Sequence, residues 1–175
     1  MVGSWADTAG TLPLSSSSVR TALWHAPGMH VEECVFCRVV SGDVRSEQVY
    51  QDGHTIAIMD LRQPGWPQAV HILVMPREHV EVIDELTHEQ ATQLMTSVVR
   101  VSRALRRACQ PKGVSVWQSN GEAAGQEVLH VHVHLLTRGS GDGLMRIYPS
   151  APDTPSFEDM APVAESVRVR IGDDR

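Results

Sequence analysis

Residues 130–136 read HVHVHLL: histidine at every second position, with valine or leucine between. A period of two is the period of a β-strand, whose successive side chains point to opposite faces. In a strand His130, His132 and His134 share one face, and Val131, Val133 and Leu135 share the other. The apolar face must be covered by another layer. The run therefore demands a sheet with one packed face and one face that carries imidazoles.

The rest of the chain supplies that sheet and its cover. QVYQDG and TIAIMD are short strand candidates separated by the turn pair Asp52-Gly53. AVHILVM is a third strand, closed by Pro76, and VSVWQS and VLHVHVHLLT are two more. Between the third and fourth lies a helix. Thr87 and Gln90 have the spacing of a capping box, and Leu94, Val98, Val101, Leu105 and Ala108 fall on one face. Arg100, Arg103 and Arg107 read as its solvated side, and Pro111 and Gly113 as its stop. The strand links are mostly too short for parallel crossovers. The fold class is α+β with an antiparallel sheet. Residues 1–30, with the serine cluster TLPLSSSSVR, read as an N-terminal extension, 31–148 as the domain, and the proline-rich, acidic 149–175 as a tail.

A chain of 175 residues suits one domain. The net charge of −6 argues against a general nucleic-acid binder. No stretch is long and apolar enough for a membrane span, and no secretory signal is visible. The reading is a cytoplasmic protein. Three cysteines cannot all pair within the chain, and Cys34 and Cys37 form a CxxC that suggests metal or redox chemistry. Cys109, at the end of the helix, reads as a buried thiol.

Span decides how the histidines divide their work. The Cα atoms of His130 and His134 are about 13 Å apart in a strand, so one ion shared by all three is awkward. A structural zinc ion takes four Cys and His ligands. Cys34, Cys37, His79 and His130 make such a set, though a core or redox cysteine pair is the alternative. His132 is then free to act as a neutral imidazole nucleophile on phosphorus, and His134 to donate to a phosphate oxygen. The loop NGEAAGQE before the strand lets backbone N–H groups approach an anion.

These residues resemble the histidine-triad family. NGEAAGQEVLHVHVH is similar to its whole motif, ECVFCRVVSGDVRSEQVYQDG to its opening, and HILVMPREHV to its middle strand. The resemblance implies a five-stranded antiparallel sheet with one long and one short helix, a homodimer, and a hydrolase or transferase cleaving nucleotide conjugates at the α-phosphate. By position, His132 is implied as nucleophile through a nucleotidyl-histidine, with His134 and Gln126 on the phosphate. Asp60 matches the ribose position, and Val35, Phe36, Val39, Ile58 and Leu61 match the base pocket. His71 matches a supporting histidine. Zinc-bearing members resemble the chain at Cys34, Cys37, His79 and His130, which implies a structural Zn²⁺.

The chain departs from the pattern where substrate identity is set. Ser119 stands where an amide is frequent. Glu127 stands where some members have a hydroxyl beside the leaving group; an anion there is expected to repel a polyphosphate and to suit an amine or a neutral leaving group. Thr137 replaces a proline, and LRQPGWPQAV is a lengthened loop placed to lie over the ribose.

Overall fold

In the computed structural model, residues 34–144 and 152–173 are described. The N-terminal extension expected over 1–30 lies outside them. The chain divides into two units between Asp142 and Gly143.

The first unit holds α1 (Val35–Ser41), β1 (Gln48–Gln51), β2 (Thr55–Met59), β3 (His71–Pro76), α2 (His88–Cys109), β4 (Gly113–Trp117) and β5 (Val133–Arg138), with short 3₁₀ turns at Ile83–Glu85 and Glu122–Ala124. The strands form one sheet in the order β1-β2-β3-β5-β4, and every neighbouring pair is antiparallel. This is the expected α+β class. Asp52 builds the β1–β2 turn: its Oδ1 accepts from the backbone N–H groups of His54 (2.9 Å) and Thr55 (2.8 Å).

Each sheet face has its own cover. Ala57, Ile72, Val74, Val131, Val133 and Leu135 pack on Leu94, Val98, Val101 and Leu105 of α2. The apolar half of HVHVHLL is thus buried against the helix, and the opposite half is free to face a site. On that other face Ile56, Ile58, Leu73 and Met75 pack with Cys34, Phe36 and Val39 of the α1 segment. α2 starts with the complete Thr87–Gln90 capping box and ends at Gln110 in the left-handed conformation (φ 46°).

Two expectations are corrected, and two further regions gain structural detail. The histidine run becomes strand only at Val133; His130 and His132 precede β5 in an irregular lead. There Val131 N–H bonds Val80 O (2.7 Å) in place of a regular ladder partner. Ala108 and Cys109 are exposed on the last turn of α2. Thr137 is buried and useful: its Oγ1 accepts from Val70 N–H (2.8 Å), fixing the end of the lengthened loop to β5. The supposed tail contains a third helix, α3 (Phe157–Asp173). Ser156 starts it by exchanging hydrogen bonds with Asp159 across the first turn.

Candidate active site and metal centre

Antiparallel register builds the reactive face. Ile58 pairs with Leu73, Leu73 with His134, and His134 with Trp117. That row floors a cavity of about 390 Å³. Its walls are Val35, Phe36 and Val39 of α1, Asp60 to Arg62 after β2, and Ser119, Gly125, Glu127 and His132 around the glycine loop.

His132 is buried, and its Nδ1 lies 2.6 Å from the carbonyl oxygen of His130. A carbonyl only accepts, so Nδ1 carries the proton and Nε2 keeps its lone pair. Burial lowers the His132 pKa below the usual histidine value, with the His130 carbonyl opposing. The ring is therefore neutral near pH 7, the state a nucleophile needs.

His134 belongs to a relay. Its Nδ1 lies 3.1 Å from His71 Nε2. His71 Nδ1 faces two acceptors, Asp60 Oδ2 and Arg62 O, each at 3.1 Å, so that nitrogen is protonated. A proton added at His71 Nε2 turns the link around, and His134 Nε2 becomes a donor toward the cavity. Burial, followed by the neighbouring His132 and His71, pushes the His134 pKa down to about 3. Trp117 caps the relay: its ring stacks on His134 at 4.5 Å and 3°, and on His71 at 5.4 Å and 17°. Asp60, His71 and His134 are also close enough to be considered a metal group. One ligand atom from each lies within 4.8 Å of the others, and here the three are joined in a chain through the two nitrogens of His71.

The second cluster joins two cysteines and two histidines. Cys34 precedes α1 and Cys37 sits in its first turn. Cys34 Sγ lies 3.6 Å from His130 Nδ1; Cys37 Sγ lies 3.2 Å from His79 Nδ1 and 3.6 Å from His130 Nδ1. Zinc bonds of about 2.0–2.3 Å place neighbouring tetrahedral ligands about 3.3–3.8 Å apart, so the donor set fits such an ion. His130 Nε2–H donates to Pro76 O (2.9 Å), which leaves Nδ1 bare toward the thiols. Burial, then the adjacent Cys34, pushes the Cys37 thiol up to about 12; a bound cation would reverse that. Phe36 stands between the clusters, edge-on to His130 (5.9 Å) and to His132 (5.0 Å).

Most expected residues therefore gather at one cavity, with some departures. Gln126 does not line it. Its Oε1 accepts from Gly121 N–H (2.7 Å) and its Nε2 donates to Glu81 O (2.7 Å), so the amide shapes the glycine loop. Leu61 is on the rim and 94% exposed. Asp60 is engaged by His71 and by Arg62 N–H (2.9 Å). Trp117 and Arg62 were missed as site residues. Trp117 becomes legible only through register opposite His134, which no local pattern encodes. Arg62 was hidden in a loop with no periodicity.

A cavity walled by such histidines, beside a four-donor cluster on an antiparallel sheet, defines an α+β protein of the histidine-triad class. Residues 41–141 match the HIT domain family model, and the chain belongs to the HIT family. It is 37% identical to the Bacillus subtilis protein hit over 82% of this chain and 98% of that one. It is 30% identical to adenosine 5'-monophosphoramidase hnt1 of Schizosaccharomyces pombe, over 79% of this chain and 98% of the relative. A crystal structure of a HIT-family member from Bacillus subtilis superposes with TM-score 0.71 at 36% identity, covering 78% of this chain and 96% of that one. A zinc-bound histidine triad family protein from Mycobacterium smegmatis superposes with TM-score 0.59 at 26% identity, covering 83% and 100%. Some family members thus carry hydrolase names.

Proposed function

We propose that the protein is a nucleotidyl hydrolase that releases a nucleoside monophosphate from a nucleotide conjugate. The observation that carries this is His132: buried, neutral, with Nδ1 held by the His130 carbonyl at 2.6 Å and Nε2 left with its lone pair beside the cavity. Nε2 attacks the α-phosphorus, an N–P bond forms, and the bond to the leaving group breaks. The leaving group departs with its electron pair and takes a proton. Water then attacks the same phosphorus, the N–P bond breaks back to His132, and the monophosphate leaves. His134, through its Nε2, steadies the phosphate oxygens as the relay through His71 and Asp60 shifts its proton.

In this reading Val35, Phe36, Val39 and Ile58 hold the base, with Leu61 at the rim. Asp60 and Ser119 meet the nucleoside, and Glu127 meets the leaving group. A phosphate role for Gln126 requires its amide to leave Gly121 and Glu81. Cys34, Cys37, His79 and His130 would hold a structural Zn²⁺, which supplies no step and ties α1 to the end of β3 and the histidine run. The name of the fission-yeast relative, a phosphoramidase, supports hydrolysis of a P–N bond.

The homodimer is part of the same proposal. β4 is an edge strand of the sheet, with Val116 exposed on it and Met95 and Val99 exposed on α2. An open strand edge that carries an exposed apolar side chain is a template for a second copy. A cytoplasmic location is supported by three free cysteines among the described residues. None of the described helices is long and apolar enough to cross a membrane. A transferase, with a non-water acceptor, differs only in the second step.

A panel of nucleoside phosphoramidates, dinucleoside polyphosphates and acyl conjugates, assayed for monophosphate release, tests the reading. Turnover is expected, with a phosphorus-bound histidine trapped at His132 by a denaturing quench and mass spectrometry at alkaline pH, where the N–P bond survives. Tight monophosphate binding with no turnover of any conjugate would instead make the protein a nucleotide sensor. Product formation that needs an added acceptor would make it a transferase.

A further inference from the structure

The rung that ends the pairing of β2 with β3 is completed by a side chain. Asp60 and His71 stand opposite each other there, one step beyond the Met59–Ile72 pair. Asp60 N–H donates to His71 O (3.1 Å), which is half of the rung. The return half runs through Gln63. His71 N–H donates to Gln63 Oε1 (2.8 Å), and Gln63 Nε2 donates to Asp60 O (2.6 Å). Nε2 donates also to His71 O (2.7 Å). The amide thus stands in the ladder as an inserted peptide group, with both of its hydrogens and its oxygen engaged. Its orientation follows from its partners: an N–H faces Oε1, and two carbonyls face Nε2.

We propose that Gln63 is a positioning residue for the His134 relay. Its amide sets the spacing of the two backbones from which Asp60 and His71 project. It thereby holds the Asp60 carboxylate on His71 Nδ1, and His71 Nε2 on His134. The inference rests on the proposed role of His134 at the substrate phosphate.

Opposite residues of an antiparallel pair send their side chains to the same face. Asp60 Oδ2 meets His71 Nδ1 at 3.1 Å, and His71 Nε2 meets His134 Nδ1 at 3.1 Å. One rigid ring makes both contacts, so a small shift of the His71 backbone is felt at each end. Gln63 bonds the backbone of Asp60 and of His71. It adds no charge and no titrating group to the relay, and acts on geometry alone. Holding the lengthened loop does not account for three bonds at this rung, because the loop has anchors of its own. Gln68 and Ala69 N–H donate to Gly65 O at 2.9 and 3.0 Å, and Val70 N–H donates to Thr137 Oγ1 at 2.8 Å.

The test uses two variants of the metal-loaded full chain. Gln63→Met keeps the length of the side chain and removes all three bonds. Gln63→Glu keeps the acceptor for His71 N–H and loses both donors, and it is read alone should Gln63→Met fail to fold. The first readout is the nitrogen NMR spectrum of the His71 ring without ligand. In the wild type one ring nitrogen is protonated and the other bare, so two separate resonances are expected. In either variant they should move toward each other as the two tautomers exchange. The second readout is a fall in kcat of about tenfold or more, with KM changed by less than about twofold. The third is a double-mutant cycle: in a His71→Ala background, where the relay is already broken, Gln63→Met should lower kcat no further. A lower melting temperature with unchanged His71 resonances would make Gln63 a loop clamp and overturn the proposal. So would the full fall in kcat repeated in the His71→Ala background, or averaged resonances in the wild type itself. Should the wild-type protein turn over no conjugate, the hydrolase reading fails by itself, and the His71 resonances still decide the positioning.

Discussion

Two histidine clusters lie at opposite ends of one five-residue run, and they differ in what their second nitrogens meet. At His130 the outer nitrogen is tied to the Pro76 carbonyl, and the inner one faces two thiols in a sealed corner. At His132 and His134 one nitrogen of each is tied to the protein, and the other is left toward a cavity. The residue type is the same. The hydrogen bond made by the far nitrogen, and the presence of open space beyond the near one, is what separates a ligand from a reagent in the proposed reading. Phe36 stands edge-on between them and keeps the two environments apart.

The sharpest way to break that contrast is to remove one side of it. His132→Ala is expected to lower turnover of the best conjugate about 10⁴-fold or more, as loss of a covalent nucleophile does. Metal content by mass spectrometry and melting temperature should stay at wild-type values. A variant that lost its metal as well would show the two clusters to be one unit.

The converse acts on stability. Cys37→Ser removes one of four donors from a site whose ligand atoms lie within 4.8 Å of one another. A structural metal site contributes folding free energy outright. Loss of at least about 3 kcal/mol is expected, read in calorimetry as a melting temperature more than about 10 °C lower. A strong chelator should do the same to the wild-type protein and leave the Cys37→Ser variant nearly unmoved. Equal melting curves with and without chelator would remove the metal from the account of the fold.

Much of this contrast could be read from sequence, and the reasons are local. The period of two in HVHVHLL fixed which side chains share a face, and the α2 stripe at 94, 98, 101 and 105 fixed what covers the other. The CxxC spacing pointed to the sealed cluster. What stayed hidden depends on partners distant in the chain. His71 reaches Asp60 across a loop, Arg62 reaches Glu127 over 65 residues, and Trp117 meets His134 only through strand pairing. Gln126 was assigned to the phosphate by its position in the family motif; its amide is engaged by Gly121 and Glu81, contacts that no local pattern encodes. The helix at 157–173 was masked by a proline-rich composition, although Ser156 and Asp159 carry its start.

Acid separates the clusters on a smaller scale. His134 has an ordinary value of 6.5 when unfolded and about 3 when folded. Its folded value is depressed, so below pH 6.5 the unfolded chain binds the extra proton first. Stability is full above that pH and falls as pH drops toward 3. Allowing for partial solvent access, His134 should account for about 2 kcal/mol lost by about pH 4.5. His134→Asn should flatten the pH dependence of denaturant midpoints over that window by about one proton. An unchanged slope would mean that the open cluster does not hold His134 neutral.

The finest test concerns Trp117, because it belongs to the open cluster by stacking alone. Its ring lies parallel to His134 at 4.5 Å and nearly parallel to His71. Aromatic stacking of this kind is worth about 0.5–1.5 kcal/mol beyond burial, and an indole face favours a cation more than a neutral ring. The stack should therefore help the form of the relay in which His71 carries a second proton and His134 donates to phosphate. Trp117→Leu keeps an apolar side chain in the row beside Leu73 and His134. The expected result is a fall in kcat of about threefold to tenfold with KM little changed. Metal content should not respond, because no contact of Trp117 reaches the Cys34–Cys37 corner in the ring contacts it makes. A rise in KM with kcat unchanged would assign Trp117 to the wall of the nucleoside pocket and leave the relay to Asp60 and His71.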